Sequence, residues 1–234
     1  MSHQSVEHNG HVDDYSGHIE RIARYWDSAA LRYLDLFRNE LEEKPYDLAL
    51  LQEFGARLGK GTSVCDIGCG PCGHVTRFLS DQRLQVRGID LSPKCIELAH
   101  REQPSLSFEV MDMGVMTFNE RTIDGLVAFY VLHYQPRGTL DRVIREFYRV
   151  LRSGGLLLVV SKEGNDEGIV TDPLGSGQPV FWCALPASEL TALLARNGLG
   201  ILSCVTREPL RNEIPVRRIY VHAKRPRTSQ PCTS

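Results

Sequence analysis

The sequence predicts a doubly wound α/β fold, in which helices cover both faces of a mostly parallel sheet of about seven strands. Three observations support this prediction. Apolar runs alternate with helical segments between residues 59 and 161, an acidic residue lies at or beside the end of each of the first three runs, and a glycine-rich turn follows the first run. Continuous apolar strands that alternate with helices are typical of parallel sheets.

The N-terminal part precedes this alternation. Residues 1–14 are polar and are predicted to be flexible. From residue 15 to about residue 41, apolar side chains recur at helical steps, with Gly17 and Asp27–Ser28 as candidate breaks. After a turn at Lys44-Pro45, Tyr46–Leu58 forms a second amphipathic segment. We interpret residues 15–58 as a helical cap on the core that also serves as a lid over a ligand.

The elements that follow have a regular order. Strands are predicted over residues 63–67, 84–89, 106–111, 123–130 and 156–161, with helices over 74–80, 93–101 and 139–151. A loose segment over 162–179 is expected to be a functional loop, and it is followed by a helix over 186–197, entered at Pro186 or capped by Ser188. Strands over 199–207 and 217–223 are too close for a helical crossover, so we expect an antiparallel hairpin at the end of the sheet. This domain spans residues 59–223, and residues 224–234 are predicted to be a flexible tail.

Composition limits the classes of function. The chain has 234 residues, of which 42% are hydrophobic and 24% charged, and its net charge is −2, so nucleic acid is not an expected partner. No apolar run is long enough to span a membrane, and the N-terminus lacks the apolar region of a signal peptide. We therefore expect a cytoplasmic protein that does not associate with membranes, either a monomer or a homodimer.

The cysteines do not indicate a disulfide framework or a metal site. The chain has seven of them, an odd number, and several lie within apolar runs, where a free thiol behaves as a small hydrophobe. Only Cys69 and Cys72 form a Cys-x-x-Cys pair, and no second Cys/His pair accompanies them. Zinc coordination needs such a second pair, so no metal is predicted.

The glycine-rich turn fits three kinds of site. The range Gly68–Gly73 matches the dinucleotide fingerprint, Cys69-Gly-Pro-Cys72 matches a thioredoxin-type dithiol, and an acid before the glycines suits S-adenosylmethionine. Asp90 lies 20 positions after Gly70, the spacing at which a carboxylate binds ribose hydroxyls. The alternative for Asp90 is a cap for the helix that begins at Ser92-Pro93. A thiol at a helix N-terminus has a lowered pKa, so reversible oxidation of the cysteine pair stays open.

Four motifs resemble successive motifs of the class I S-adenosylmethionine-dependent methyltransferases. They are Val64-Cys-Asp-Ile-Gly-Cys-Gly-Pro71, Gly88-Ile-Asp-Leu-Ser-Pro93, Met111-Asp-Met113 and Leu151-Arg-Ser-Gly-Gly155. They occur in the family's order, over roughly residues 60–161. The resemblance implies a Rossmann-like fold, S-adenosylmethionine as the methyl donor and S-adenosylhomocysteine as the product.

The resemblance also implies roles for individual residues at the cofactor. Asp66 would bind the ammonium group, Asp90 the ribose and Asp112 the adenine amino group. The remaining predicted cofactor residues are Gly68, Cys69 and Gly70 as bare backbone, Leu91 and Met113 on either side of the adenine, Phe129 through its carbonyl, and His133 and Tyr25 at the methionyl part.

The sequence also offers candidates for the general base and for residues that contact the methyl acceptor. His133 is the candidate general base, and the alternative is that it only lines the pocket. The predicted acceptor contacts are aromatic: Tyr15, Trp26, Tyr130, Tyr134, Phe181 and Trp182, of which the last two are otherwise anchors for the following helix. Near the final hairpin the chain carries three arginines, Arg211, Arg217 and Arg218. We interpret them as solvent-exposed residues of an edge strand, and the alternative is that they contact an anionic acceptor.

The sequence therefore predicts a methyltransferase that acts on a small molecule, in secondary metabolism, by in-line displacement. Two alternatives remain. The chain would either bind S-adenosylmethionine and catalyse another reaction, such as a cyclisation, or methylate a macromolecule.

Overall fold

A computed structural model of the chain describes residues 15–211 and 213–227. The flexible segments predicted over residues 1–14 and at the end of the chain from residue 228 lie outside the described residues. None of the described helices combines the length and the apolarity needed to cross a lipid bilayer.

The described strands form the predicted seven-stranded sheet, with strand order β3-β2-β1-β4-β5-β9-β8. Its strands are β1 (Ser63–Ile67), β2 (Gln85–Asp90), β3 (Ser107–Val110), β4 (Ile123–Phe129), β5 (Leu151–Lys162), β8 (Gly200–Arg207) and β9 (Arg218–Lys224). The first five pair in parallel, and β9 pairs antiparallel with both β5 and β8. The mostly parallel sheet and its antiparallel C-terminal hairpin are thus confirmed.

Helices cover both faces of the sheet. They are α1 (Tyr15–Phe37), α2 (Pro45–Leu58), α3 (His74–Asp81), α4 (Pro93–Glu102), α5 (Leu140–Val150) and α6 (Ala187–Arg196), with short 3-10 turns at Glu40–Glu43, Leu132–Tyr134 and Arg137–Thr139. Side chains alternate along each strand, so Leu126 packs in the α5–α6 layer while Val127 packs with Phe54 of α2. An apolar layer therefore packs on each face of the sheet and holds the strands in place.

The first helix is continuous, whereas the sequence suggested breaks. Asp27 does not break α1 because its carboxylate points to another element: it accepts hydrogen bonds from Ser92 Oγ at 2.6 Å and from the Lys94 amide at 3.2 Å. Ser28 Oγ donates to the Arg24 carbonyl one turn earlier, at 3.0 Å. Both polar side chains therefore find partners that leave the helical backbone intact.

The segment predicted as a loop over 162–179 contains a strand. Residues Glu167–Val170 form β6, which pairs antiparallel with β7 (Val180–Cys183) in a separate two-stranded sheet. The strand is short, includes Gly168 and exposes Ile169, so it lacks the alternation that reveals a half-buried strand. The β6–β7 hairpin lies against α1.

The last strand also extends beyond its predicted end. Lys224 belongs to β9, and Arg225, placed by the sequence in the flexible tail, is buried. Its guanidinium donates to the Tyr148 carbonyl at 2.7 Å and to the Leu151 carbonyl at 2.8 Å. These bonds secure the end of α5, where the chain turns into β5.

Candidate active site

A cavity of about 670 Å³ opens at the carboxyl ends of β1, β2, β4 and β5. That position is where open α/β sheets bind ligands, and the volume lies within the usual range for such pockets. We divide its lining residues into two groups, named the glycine-turn half and the charged half. The glycine-turn half is lined by Asp66, Gly68, Cys69, Gly70, Asp90, Leu91, Asp112, Met113 and Phe129. The charged half is lined by Lys44, His133, Lys162, Trp182, Glu213 and Arg218.

The glycine turn has a backbone that other residues rarely adopt. Gly68 and Gly70 have φ values of 69° and 62°. A Cβ atom at Gly68 would lie 2.4 Å from Val131, whereas at Gly70 no atom lies within 4 Å of that position. Gly70 therefore leaves open space beside bare backbone in the cavity. Gly73 serves packing instead, because a Cβ atom there would lie 2.6 Å from the ring of Phe108.

Two carboxyl groups flank this turn, those of the buried Asp66 and the partly buried Asp90. Asp66 accepts a hydrogen bond from Thr76 Oγ1 at 2.7 Å, and burial raises its pKa to about 7. Asp90 accepts from the amides of Gly70 at 3.0 Å and Ser92 at 2.9 Å, and burial raises its pKa to about 6. The cap of α4 is Ser92, whose Oγ accepts from the Cys95 amide, so Asp90 is not the helix cap itself.

The third acid, Asp112, has a partner from the N-terminal helix. Its Oδ1 accepts hydrogen bonds from Tyr15 Oη and from the Gly114 amide, both at 2.8 Å. The Arg142 guanidinium lies over the Tyr15 ring, 4.1 Å from its centroid. Tyr15, predicted to contact the acceptor, therefore lies behind Asp112 and does not line the cavity.

His133 belongs to the charged half and lies in the 3-10 turn Leu132–Tyr134 that follows β4. It is buried, and neither ring nitrogen has a hydrogen-bond partner among the described residues. Its ring lies 4.3 Å from that of Tyr134 and 4.8 Å from that of Trp182, between centroids. Burial holds its pKa well below the usual value, and the positive charges of Lys162 and Arg218 lower it further, so the imidazole is neutral.

The structure separates the other predicted aromatic residues. Trp26, Tyr130, Tyr134 and Trp182 line the cavity, but Tyr25 and Phe181 do not. Neighbouring residues of a strand point to opposite faces, so Phe181 of β7 packs on His18 while Trp182 faces the cavity. Tyr25 is directed into a cluster with Ala29 and Val180, because consecutive helical residues point in different directions.

Tyr130 has a strained backbone at the end of β4. Its φ of 56° is uncommon for a residue with a bulky side chain. The hydroxyl donates to Asp47 Oδ2 at 3.1 Å, and Lys44 Nζ lies 4.9 Å from the ring centroid. Tyr130 lines the cavity, and its contacts with Asp47 and Lys44 hold the ring there.

The sequence missed most of the charged half. Lys44 and Glu40 lie in the turn between α1 and α2, and Glu213 lies in the loop before β9. Lys162 ends β5, so the same rule that selected the acids at strand ends would have selected it. Arg218 was interpreted as part of a solvated edge; this is wrong, because β9 lies between β5 and β8 and Arg218 is 3% exposed. Arg211 and Arg217 are exposed as predicted.

The cysteine pair is not arranged for redox chemistry. Cys69 and Cys72 are both free and buried, and their side chains pack in different apolar clusters, one with Phe108 and the other with Leu34. Burial raises the pKa of Cys72 to about 12 and that of Cys69 well above its usual value. The lowered pKa expected at a helix N-terminus is therefore overridden by desolvation. The described residues also contain no group of three His, Cys, Asp or Glu side chains that could hold a metal ion.

A comparison with known protein families matches the part of the chain that forms the glycine-turn half. Residues 64–155 match a family model described as a methyltransferase domain. The chain is 30% identical over 138 residues to malonyl-acyl-carrier-protein O-methyltransferase of Enterobacter lignolyticus, an alignment that covers 59% of this chain and 52% of that protein. The chain thus spans about half the length of this curated relative.

Solved structures share the fold over most of the chain. The 1,6-didemethyltoxoflavin-N1-methyltransferase of Burkholderia thailandensis, solved with 1,6-didemethyltoxoflavin and S-adenosylhomocysteine, has a TM-score of 0.71 and 18% identity, covering 93% of each chain. The (4+2)-cyclase SpnF has a TM-score of 0.67 and 17% identity, covering 88% of this chain and 96% of that one. At this level of identity, the likeness concerns the fold alone.

Proposed function

We propose that this chain, a member of the class I S-adenosylmethionine-dependent methyltransferases, transfers a methyl group from S-adenosylmethionine to a small molecule. One observation carries the proposal. One and the same cavity is lined by the glycine turn with its three acids and by aromatic and charged side chains. A donor bound at the glycine turn and an acceptor bound among the charged residues would therefore share this cavity, and His133, which also lines it, would lie close to the reacting atoms.

The residues of the glycine-turn half suit the donor. We assign Asp66 to its ammonium group because the carboxyl is buried, which raises its pKa, and has no cationic partner among the described residues. Asp90 would accept hydrogen bonds from the ribose. Gly68, Cys69 and Gly70 would present bare backbone, and the open space at Gly70 is where a ligand would fit.

The adenine would lie toward β3. Asp112 Oδ2 makes no hydrogen bond among the described residues, so it is free to accept one from the adenine amino group while Oδ1 stays bound to Tyr15. Leu91 and Met113 line this part of the cavity and would enclose the ring. Phe129, at the end of β4, would offer its carbonyl to the ammonium group.

We expect His133 to take part in the methyl transfer. S-adenosylmethionine supplies, when bound, a methyl group activated by its sulfonium. Positioning of the acceptor atom provides much of the rate in such a displacement. We propose that His133 accepts the acceptor's proton, since its neutral imidazole has both nitrogens free of protein partners among the described residues.

We also propose different functions for the two parts of the chain. Residues 15–58 would act as a lid, because Trp26 and Tyr33 of α1 line the cavity, and residues 59–223 would form the methyltransferase domain. A cavity of about 670 Å³ shared by donor and acceptor favours a small acceptor over a macromolecule. An acceptor from secondary metabolism is proposed because the N-terminal lid resembles that of methyltransferases of secondary metabolism. The protein would act as a monomer or a homodimer.

A second candidate function is a cyclisation, since the fold is shared with a protein described as a cyclase. One experiment separates the two. The protein is incubated with methyl-labelled S-adenosylmethionine and a small-molecule extract, and products are searched by mass spectrometry for the label. A labelled product with release of S-adenosylhomocysteine supports methyl transfer, whereas binding of the donor without any labelled product contradicts it.

The assignment of the donor site has its own test. Asp90→Ala is expected to weaken S-adenosylhomocysteine binding by about tenfold or more, because the ribose would lose a charged acceptor. Asp81→Ala, at an exposed position at the end of α3, is the matched control and should bind as the unaltered protein does. An unchanged Kd in Asp90→Ala would show that the site is assigned wrongly.

A further inference from the structure

We propose that the acceptor carries an anionic group, a carboxylate or a phosphate, which binds between Lys162 and Arg218 while its apolar body packs against Trp182. This inference rests on the proposed function, because it identifies the class of acceptor for the charged half of the same cavity. It also explains a cluster of cations that methyl transfer alone does not require.

Lys162 and Arg218 lie directly opposite each other in the sheet. Lys162 is the last residue of β5 and Arg218 the first residue of β9, and they are paired in the antiparallel register. Residues directly opposite in such a pair share a face, and like charges in that position are destabilising. Both side chains line the cavity. The fold therefore places two cations side by side at a ligand pocket, at a cost that a bound anion would offset.

The nearby carboxylates neutralise this pair only in part, because Arg218 shares Glu213 with two other cations. The Glu213 carboxylate forms ion pairs with three cations, at nitrogen-to-oxygen distances of 2.9 Å for Arg207, 3.4 Å for Lys44 and 3.5 Å for Arg218. Glu40 pairs with Lys44. Lys162 has no carboxylate within ion-pair distance among the described residues.

Two orphaned polar groups lie beside the same spot. Arg218 is 3% exposed, and its Nε has no hydrogen-bond partner among the described residues, although its Nη1 donates to the carbonyls of Ile214 and Val216. The two ring nitrogens of His133 are also unpartnered there. Buried donors without partners are costly, so a ligand that accepts hydrogen bonds would complete this site.

Trp182 provides the apolar wall. Lys162 Nζ lies 4.4 Å from the centroid of its ring, a cation–π distance that holds the ammonium group at the edge of the cavity. The ring of His133 continues this wall at 4.8 Å. An acceptor with a flat or apolar body would therefore extend along Trp182 and His133 toward the glycine-turn half.

The protonation state of Lys162 should change when an anion binds beside it. Burial and the charge of Arg218 lower its pKa to about 7. The groups that face it from the surrounding elements are Arg218 of β9, His133 after β4, Trp182 of β7, Glu213 before β9, and Glu40 and Lys44 between α1 and α2. A bound anion would favour the charged ammonium, so binding should take up protons near neutral pH and weaken as pH rises.

The test uses a matched pair of probes and the complete chain. We would measure by isothermal titration calorimetry, with S-adenosylhomocysteine present, the binding of 2-naphthoate, 2-naphthyl phosphate and the neutral 2-naphthamide. At about pH 6.5, at least one of the two anions is expected to bind about tenfold or more tightly than 2-naphthamide. Whichever anion binds better identifies a carboxylate or a phosphate as the preferred group.

Variants connect that preference to Lys162. Lys162→Met is expected to lower the affinity for the anion to that for 2-naphthamide, whereas Lys162→Arg keeps most of the preference. Lys60→Met, at an exposed lysine after α2, is the control and should bind both probes unchanged. The anion's affinity should decrease from about pH 6 to about pH 8 in the unaltered protein, and this decrease should be absent in Lys162→Met.

The outcomes separate this inference from the proposed function. Equal affinity for anionic and neutral probes overturns the inference, as does a preference that persists in Lys162→Met. A Lys162→Met variant with unchanged anion affinity but slower turnover would make Lys162 a proton acceptor instead. Binding of S-adenosylhomocysteine is measured separately: if it fails while the anion preference remains, the proposed function is wrong and the anion site stands.

Discussion

At the scale of single residues, the site depends on acidic groups that are buried without a cation beside them. Asp66 is 1% exposed and has Thr76 as its hydrogen-bond donor, and Asp90 is held by backbone amides. Desolvation therefore raises the pKa of both carboxyl groups, to about 7 and about 6. A ligand that brings a positive charge to Asp66 would reverse this effect.

Binding of S-adenosylhomocysteine should consequently depend on pH. Its ammonium group favours ionised Asp66, whose pKa in the unliganded protein is about 7, so binding releases a proton below that pH. The Kd is expected to rise by up to about tenfold for each pH unit below 7 and to level off above about pH 8. Calorimetry over this range measures it. Asp66→Asn should bind weakly with a flatter pH profile, and a steep profile in that variant would contradict the assignment.

The proposed role of His133 is tested by an aromatic replacement. His133→Phe keeps a ring against Tyr134 and Trp182 but removes the proton acceptor, so kcat should fall by about 100-fold or more. Because burial keeps the imidazole neutral, the kcat profile should show no inflection from His133 near its usual pKa. His100→Phe, at an exposed position on α4, is the control. Turnover close to that of the unaltered protein in His133→Phe would leave it as pocket lining only.

At the scale of elements, two segments close the cavity. Helix α1 contributes Trp26 and Tyr33, and the β6–β7 hairpin contributes Trp182. They meet where α1 lies on β7. Trp26 of α1 also packs edge-to-face on Tyr134 of the turn after β4, with 5.2 Å between ring centroids. The helix is docked on α4 by the carboxylate of Asp27, which bonds to the first turn of that helix.

Removal of that docking bond should loosen the lid. In Asp27→Ala, Ser92 Oγ and the Lys94 amide lose a charged acceptor, a change that typically costs about 1.5–3 kcal/mol when the bond is well formed. We expect faster amide hydrogen exchange in α1 with unchanged exchange in β4, which is buried along its whole length. Asp81→Ala controls for loss of an exposed carboxylate. Uniform exchange changes in both elements would indicate global destabilisation instead.

At the scale of the whole molecule, a buried ionic network connects distant parts of the chain. Glu213 pairs with Lys44 between α1 and α2, with Arg207 of β8 and with Arg218 of β9. Asp47 of α2 accepts hydrogen bonds from Tyr220 at 2.7 Å and from Tyr130 at 3.1 Å. This network fixes α2 on the last strands and gives the charged half its wall.

Glu213 should therefore matter for stability. Glu213→Gln leaves three buried or partly buried cations without their shared carboxylate, and loss of one partner from a buried pair costs about 3–5 kcal/mol. Urea unfolding near neutral pH measures the loss. Glu208→Gln, whose exposed side chain pairs with Arg217, is the control and should change stability by less than about 1 kcal/mol.

The pH dependence of unfolding adds a second readout for this variant. Hydrogen bonds from Arg207 and the charges around it hold the pKa of Glu213 at about 2, below its unfolded value. Its contribution is therefore complete above about pH 4.5 and is lost as pH falls toward 2. That part of the acid destabilisation should be missing in Glu213→Gln, and an identical acid profile in both proteins would contradict the assignment.

The sequence by itself determined the fold class, the antiparallel hairpin at the end of the sheet and the part of the cavity built from consecutive motifs. Asp66, Gly70, Asp90 and Asp112 each lie at a strand end or the following turn, and parallel strands bring such positions to one edge. Local patterns were sufficient there because each side chain is placed by its own strand. The same patterns failed for β6, whose exposed Ile169 gives no alternation, and for the continuity of α1, which depends on a bond from Asp27 to another element.

Only the tertiary structure decided the rest of the site. Which aromatic residues face the cavity depends on the twist and packing of α1 and β7, so Trp26 and Trp182 reach it whereas Tyr25 and Phe181 do not. Lys162 and Arg218 are 56 positions apart and meet because β9 inserts between β5 and β8. Their juxtaposition at the cavity follows from the sheet order, because side chains that are distant in the sequence become neighbours only when their strands pair.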